Sequence, residues 1–265
     1  MKYILALFII LMVYLSAVAQ EPKEGHTGGA QANNPLANMT ALNFHNYYIP
    51  KLADAPDDAY LNTSWIRFAK PFSSGRLLLR VSVPLNTVAS PDGTGIVNAQ
   101  NGLGDVNALL TYNFVSKPTA TVGIGPIISA PSASNDLLGS GKWQAGIAFV
   151  AFVVKSPQFQ LGGLVTWQTS IAGDDGRDKT NNSVIQPFYF WQLGNGTYLR
   201  GAPAWFFNFE TESYSVPMAL GIGKVVKVSN TVFNCFIEPQ YSMLHRGTQP
   251  QFQLFAGINL QFLKP

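Results

Sequence analysis

The chain of 265 residues is poor in charge, at 12%, and holds a single cysteine, Cys235. A lone cysteine cannot close an internal bridge, which excludes a disulfide-stapled exported domain. Cys235 therefore reads as a packed or lipid-facing residue. Charge is about half the typical globular level. Combined with 24 glycines and 12% aromatics, it suits strands in lipid better than a surface in water. The net charge of +3, one less without Lys2, is too small to argue for a nucleic-acid partner. Long apolar runs are absent beyond the amino terminus. The least polar stretch, 145–154, is far short of the roughly 20 residues that a spanning helix needs.

Catalytic and metal patterns are missing as well. His26, His45 and His245 have no metal-ligand spacing. No G-x-S-x-G motif is present. Ser242 and His245 fall on opposite faces of a strand. Gly139-Ser140-Gly141-Lys142 faintly resembles a phosphate loop but lacks the first glycine and the Ser/Thr after lysine, so it reads as a turn into a strand. The acidic stretches 54–58 and 174–178 do not match a calcium loop and read as solvated loops. No cofactor, metal or catalytic residue is expected, and the chain is not expected to be an enzyme.

The first residues have the layout of a secretory signal peptide. Lys2 precedes an apolar run over 3–15, and Ala17-Val18-Ala19 is a small-x-small cleavage site. The expectation is a signal peptide over 1–19, a flexible periplasmic tail over 20–36, and one β-domain over 37–265.

Within that domain the pattern has period two. Phe252, Leu254, Ala256, Ile258, Leu260 and Phe262 share one face, while Gln251, Gln253, Phe255, Gly257, Asn259 and Gln261 share the other. Such a run has the length of a tilted membrane strand. The rhythm recurs in about twelve segments: 40–50, 60–71, 75–84, 103–114, 119–130, 142–154, 159–171, 183–192, 197–209, 215–226, 231–244 and 249–263. Short gaps at 72–74, 115–118, 155–158, 193–196 and 227–230 alternate with generally longer ones at 51–59, 85–102, 131–141 and 172–182. Short periplasmic turns alternating with longer outer loops are the outer-membrane pattern, and they put both chain ends in the periplasm.

Alternation alone does not say which face meets lipid. A soluble exported sandwich or lipocalin-like barrel would hide the apolar face inside. Large aromatics on that face nevertheless sit near strand ends. Tyr112, Phe114, Phe159 and Trp191 lie toward the short turns, and Trp143, Trp167 and Tyr241 toward the long loops. Two such girdles mark two membrane interfaces. The fold class expected is all-β: a closed antiparallel transmembrane β-barrel of about twelve strands.

Several short segments add a resemblance. They include Asn34-Pro35-Leu36, Gly102-Leu103-Gly104-Asp105-Val106, Gly123-Ile124-Gly125-Pro126 and 138–146. Ala172-Gly173-Asp174, Gln186-Pro187, Val216-Pro217-Met218, 221–225 and Glu238-Pro239-Gln240-Tyr241 complete the set. In this order the chain resembles the outer-membrane β-barrel family labelled for the MetA pathway of phenol degradation. The resemblance implies outer-membrane passage of small solutes, including aromatic or hydrophobic compounds, and no catalytic residues. Barrel proteins often finish on an aromatic residue, whereas Phe262 here is followed by Leu263-Lys264-Pro265.

The side chains expected on the lumen are Arg67, Arg76, Arg80, Asp105, Gln144, Gln168, Arg200, Glu238 and Gln240, with His45, Gln186, Gln251, Gln253 and Gln261 as further candidates. Read functionally, they form a polar pore lining with a cationic bias. Read structurally, Arg–carboxylate pairs and Gln ladders fill a closed interior. The expected partners are outer-membrane lipids, the outer-membrane assembly machinery and a small-molecule solute.

Overall fold

The computed structural model describes residues 32–92 and 94–263. The expected signal peptide and most of the expected tail lie outside the described residues. Among the described residues, fifteen extended segments make twelve barrel strands, because three strands are interrupted. The first six are β1 (Thr40–Leu52), β2 (Tyr60–Phe72), β3 (Leu77–Pro91), β4 (Val97–Leu103 with Asn107–Lys117), β5 (Ala120–Ser129) and β6 (Lys142–Val154). The others are β7 (Phe159–Gly173), β8 (Asn181–Gly194), β9 (Thr197–Gly201 with Trp205–Asn208), β10 (Ser213–Ala219 with Gly221–Val228), β11 (Thr231–Arg246) and β12 (Pro250–Phe262).

Every strand pairs antiparallel with its sequence neighbours. The ring closes where β12 pairs with β1, from Thr40 opposite Phe262 to Leu52 opposite Pro250. Closure removes the free edge that an open sheet would leave. The short turns and the start of β1 lie at one end of the barrel, and the longer loops lie at the other.

The structure decides which face is which. Along β6, Ile147 and Phe149 are 49% and 41% exposed, whereas Ala148 and Val150 between and beside them are 0% and 3%. Across the barrel, exposed side chains include Phe68, Leu110, Ile128, Leu161, Val165 and Ile222. Buried ones include Thr111, Gln160, Asn234, Glu238, Gln240 and Gln261. This is a soluble protein turned inside out, as a barrel in lipid must be. Tyr112, Phe114 and Trp191 are exposed near the short turns, and Trp143, Trp167 and Tyr241 near the loops. Cys235 is buried among Val226, Phe233 and Ile258.

One connection differs from expectation. The span 85–102 is not an open loop. Leu85 to Pro91 pairs with Leu103 to Val97, so β3 and β4 extend beyond their neighbours as a hairpin. Residues 97–101 are exposed on both faces, and with no apolar face the segment carries no readable period. Asp92 closes the hairpin by accepting from Thr94 N at 2.8 Å, Thr94 Oγ1 at 2.6 Å and Asn98 Nδ2 at 3.0 Å. These bonds favour its ionised form and hold its carboxyl below the usual range.

The outward face makes a direct prediction. Ile147→Arg places a cation on the apolar belt near the middle of β6. It should lower unfolding stability in lipid vesicles by about 2–4 kcal/mol, read by urea titration. An unchanged midpoint would contradict the lipid-facing assignment.

Candidate functional site

The inward face brings its chemistry together because register places alternate residues of neighbouring strands at one level. Asn43, His45 and Tyr47 of β1 stand beside Asn259, Gly257 and Phe255 of β12. Arg67 of β2 lies across from Asn43 on one side and Ser82 of β3 on the other. Arg80 lies across from Ala69, so the two arginines are diagonal neighbours.

These groups surround a central cavity of about 180 Å³, bordered by Arg67, Arg80 and Arg200 among others. A second space of about 250 Å³ lies toward the loop end, beside Trp65, Thr63 and Phe206. Tyr47 borders both. Its ring stacks on Phe255 at 4.1 Å between centroids with 5° between planes.

Glycine makes room for this aromatic layer. A Cβ on Gly257 would stand 2.6 Å from both His45 Cδ2 and Phe236 Cζ, closer than real atoms approach. The freed space lets His45 sit edge-on to Phe236 and Phe255, at 5.6 and 5.4 Å between centroids.

Arg200 is the best-held charge. Its Nε donates to Glu238 Oε2 at 2.6 Å, with the two side chains 7% and 0% exposed. The guanidinium lies 3.6 Å over the Phe236 ring. Glu238 Oε1 also accepts from Ala202 N at 3.0 Å and Gln240 Nε2 at 2.6 Å. Gln253 Nε2 extends the chain to Gln240 Oε1 at 2.6 Å. Every oxygen of the buried carboxylate is thus bonded, the condition for tolerating it away from water.

Arg67 is held differently. Its Nη1 donates to His45 Nδ1 at 2.6 Å, so the ring proton sits on Nε2 and is donated to Asn259 Oδ1 at 2.7 Å. Its guanidinium also covers the Trp65 ring at 4.6 Å. Among the described residues, the ion pairs are made by Arg177, Arg200 and Arg246, so neither Arg67 nor Arg80 has a carboxylate partner.

Of the side chains expected on the lumen, Arg67, Arg80 and Arg200 border the central cavity, with Glu238 and Gln240 bonded beside Arg200. Gln144 and Gln168 stand nearer the loop end. Gln144 Nε2 donates to Ser140 Oγ at 3.1 Å, and Gln168 Oε1 accepts from Ser129 Oγ at 2.9 Å. Two others likewise do not border the central cavity. Arg76 is exposed at the β2–β3 turn, because its position is inward in phase but beyond the barrel rim. Asp105 lies between the two halves of β4 and clamps a loop, accepting from Ser140 N at 2.7 Å and Ala133 N at 3.3 Å. The same bonds occupy the Ser140 donors, so the glycine-rich turn is not a phosphate cradle. Arg177 braces that loop from the other side, donating to the Asp136 and Gly139 carbonyls at 2.6 Å each.

The inward aromatics Phe152, Phe188, Phe190, Tyr198, Phe236 and Phe255 were not among the expected lumen residues. The signal existed for some of them: Phe236 stands between Asn234 and Glu238 in phase, and Phe188 and Phe190 between Gln186 and Gln192. The tail is the other departure. Ala32, Asn33, Asn34 and Leu36 are buried inside the short-turn mouth. Asn234 Nδ2 donates to Ala32 O at 3.2 Å and Asn33 Oδ1 at 2.9 Å, and Gln261 Nε2 donates to Ala32 O at 3.1 Å. On the far wall Asn34 Nδ2 reaches Thr121 Oγ1 at 3.4 Å, and Leu36 packs on Ala41, Ala69, Leu78 and Val150. Residues 32–36 therefore form a strap across the mouth, where a free tail was expected.

No family model matches the chain, and no curated protein sequence matches it. Solved structures do. An outer-membrane channel from Pseudomonas putida F1 aligns with a TM-score of 0.61 at 13% identity, over 84% of this chain and 96% of that one. The NanC porin aligns with a TM-score of 0.52 at 10% identity, over 85% of this chain and all of the other. At such identities the shared property is the fold, a closed antiparallel barrel.

The buried ion pair makes a second prediction. Arg200→Ala leaves Glu238 charged, buried and unpaired, and should cost about 3–5 kcal/mol in urea titration. An Arg200→Met, Glu238→Leu double variant should recover most of that loss. Equal destabilisation of single and double variants would contradict this account.

Proposed function

We propose that the protein is an outer-membrane channel for small solutes, with the short turns and the start of the barrel in the periplasm and the long loops outside the cell. The observation that carries this is the lumen: two spaces both border Tyr47, and one of them is walled by Arg67 and Arg80, which have no carboxylate partner among the described residues. A barrel built only to be filled would pair such charges, as it pairs Arg200 with Glu238. The two solved structures named above are described as an outer-membrane channel and a porin, which supports the reading. The family resemblance adds small aromatic or hydrophobic compounds as cargo. Outer-membrane lipids would cover the apolar belt, and the outer-membrane assembly machinery would insert it.

The rival is a structural barrel with a packed interior. The bonded Arg200–Glu238–Gln240–Gln253 wall and the fully buried Phe152 and Tyr198 favour it over part of the cross-section. The strap over 32–36 would close the channel at rest from the periplasmic side.

Conductance in planar bilayers separates the two. The protein should conduct with a preference for anions, and Arg80→Glu should move the reversal potential toward cation selectivity. Replacing residues 32–37 with an equal Gly-Ser segment should raise conductance several-fold. Silence of both the native chain and the strap variant would establish the packed barrel instead.

A further inference from the structure

The central cavity has two unlike walls. One, from β1 to β3, carries Arg67 and Arg80. The other, from β6 to β8 across the barrel, presents Val150, Leu164 and Phe188. A pore lining meant only to pass ions would be polar all round. A filled interior would not leave charge unmatched.

The charge ledger sharpens this. Three guanidiniums border the cavity, and the carboxylate beside them, Glu238, is committed to Arg200 at 2.6 Å. His45 offers no negative charge, because its Nδ1 accepts from Arg67 and its Nε2–H is spent on Asn259. Arg80 Nε has no hydrogen-bond partner although the atom is shut off from the surface. The Arg80 side chain also borders the cavity with no carboxylate of the described residues bonded to it, so an anion in that space is its best match. Two diagonal guanidiniums present the planar, forked donors that a carboxylate accepts.

Size and shape supply the rest. An apolar cavity of about 150 Å³ holds one benzene ring. The cavity of about 180 Å³ has room for one ring with a carboxylate, and its strap residue Leu36 closes the apolar side toward the mouth.

We propose that this cavity is a binding site for a small aromatic monocarboxylate, with the carboxylate between Arg67 and Arg80 and the ring against Leu164 and Phe188. The inference deepens the channel reading and rests on it for the ligand being a cargo. Neither wall suffices alone. A neutral phenol leaves the guanidiniums unmatched, acetate leaves the apolar wall bare, and benzylamine brings a like charge.

The test uses the full chain extracted in detergent, with benzoate as the probe and calorimetry as the readout, in low-salt buffer. Benzoate should bind saturably at one site, with phenol, acetate and benzylamine each at least about tenfold weaker, the factor expected from losing one charge-assisted contact. Arg80→Gln should weaken benzoate by a similar factor. Leu164→Trp, which fills the apolar wall and leaves both arginines, should abolish binding. Retained heat-modifiable migration on gels confirms that each variant is folded. Phenol binding as tightly as benzoate, or undiminished binding to either folded variant, overturns the proposal. Because binding is measured without a membrane, the two readings separate. Conductance without benzoate binding overturns the site and keeps the channel. Benzoate binding without conductance keeps the site and overturns the channel.

Discussion

A backbone N–H left unpaired in hydrocarbon costs several kcal/mol, and no water is present to relieve it. That constraint organises this molecule. It requires the sheet to close, which the pairing of β1 with β12 accomplishes along nearly the whole length of both strands. Closure in turn fixes two faces. Because the outer one meets lipid, the apolar half of each alternating strand must point outward, and the polar half is forced into a confined interior. The lumen chemistry is thus a consequence of satisfying the backbone.

Confinement makes every inward charge consequential. Arg200 and Glu238 show one solution, in which a bonded pair is stacked on Phe236 and extended through Gln240 to Gln253. Arg67 and Arg80 show another. They have no carboxylate partner among the described residues, and Arg67 is held by His45 and the Trp65 face, so positive charge borders the central cavity. The first arrangement stiffens the wall. The second is poised to attract an anion. Between them, inward glycines such as Gly257 let rings stack where a side chain of any size would collide.

The strands and their facing were legible because a side-chain period of two survives wherever one face meets lipid. The same reasoning explains where legibility ended. The hairpin extension of β3 and β4 stands clear of the barrel, exposes both faces and so shows no alternation. Phase gave the face of Arg76 but not its depth along the axis, and the residue lies beyond the rim. Asp105 falls in a break between the two halves of β4, where strand phase has no meaning. The strap was unreadable for a different reason. Ala32 and Asn33 look like any tail until Asn234 and Gln261, some two hundred residues away, supply their bonding partners. Phe236 and Phe255 stand in the sequence as apolar residues in polar phase, a signal that the expected lumen lining did not use.

The account stands or falls on which face of the sheet touches lipid, and tryptophan reports it directly. Trp167 is 42% exposed on the outer face, whereas Trp65 borders the inner space toward the loops. Single-tryptophan variants retaining one or the other can be reconstituted in bilayers carrying brominated acyl chains. The account predicts strong quenching of Trp167 fluorescence and little quenching of Trp65. Strong quenching of Trp65 with Trp167 unaffected would contradict it.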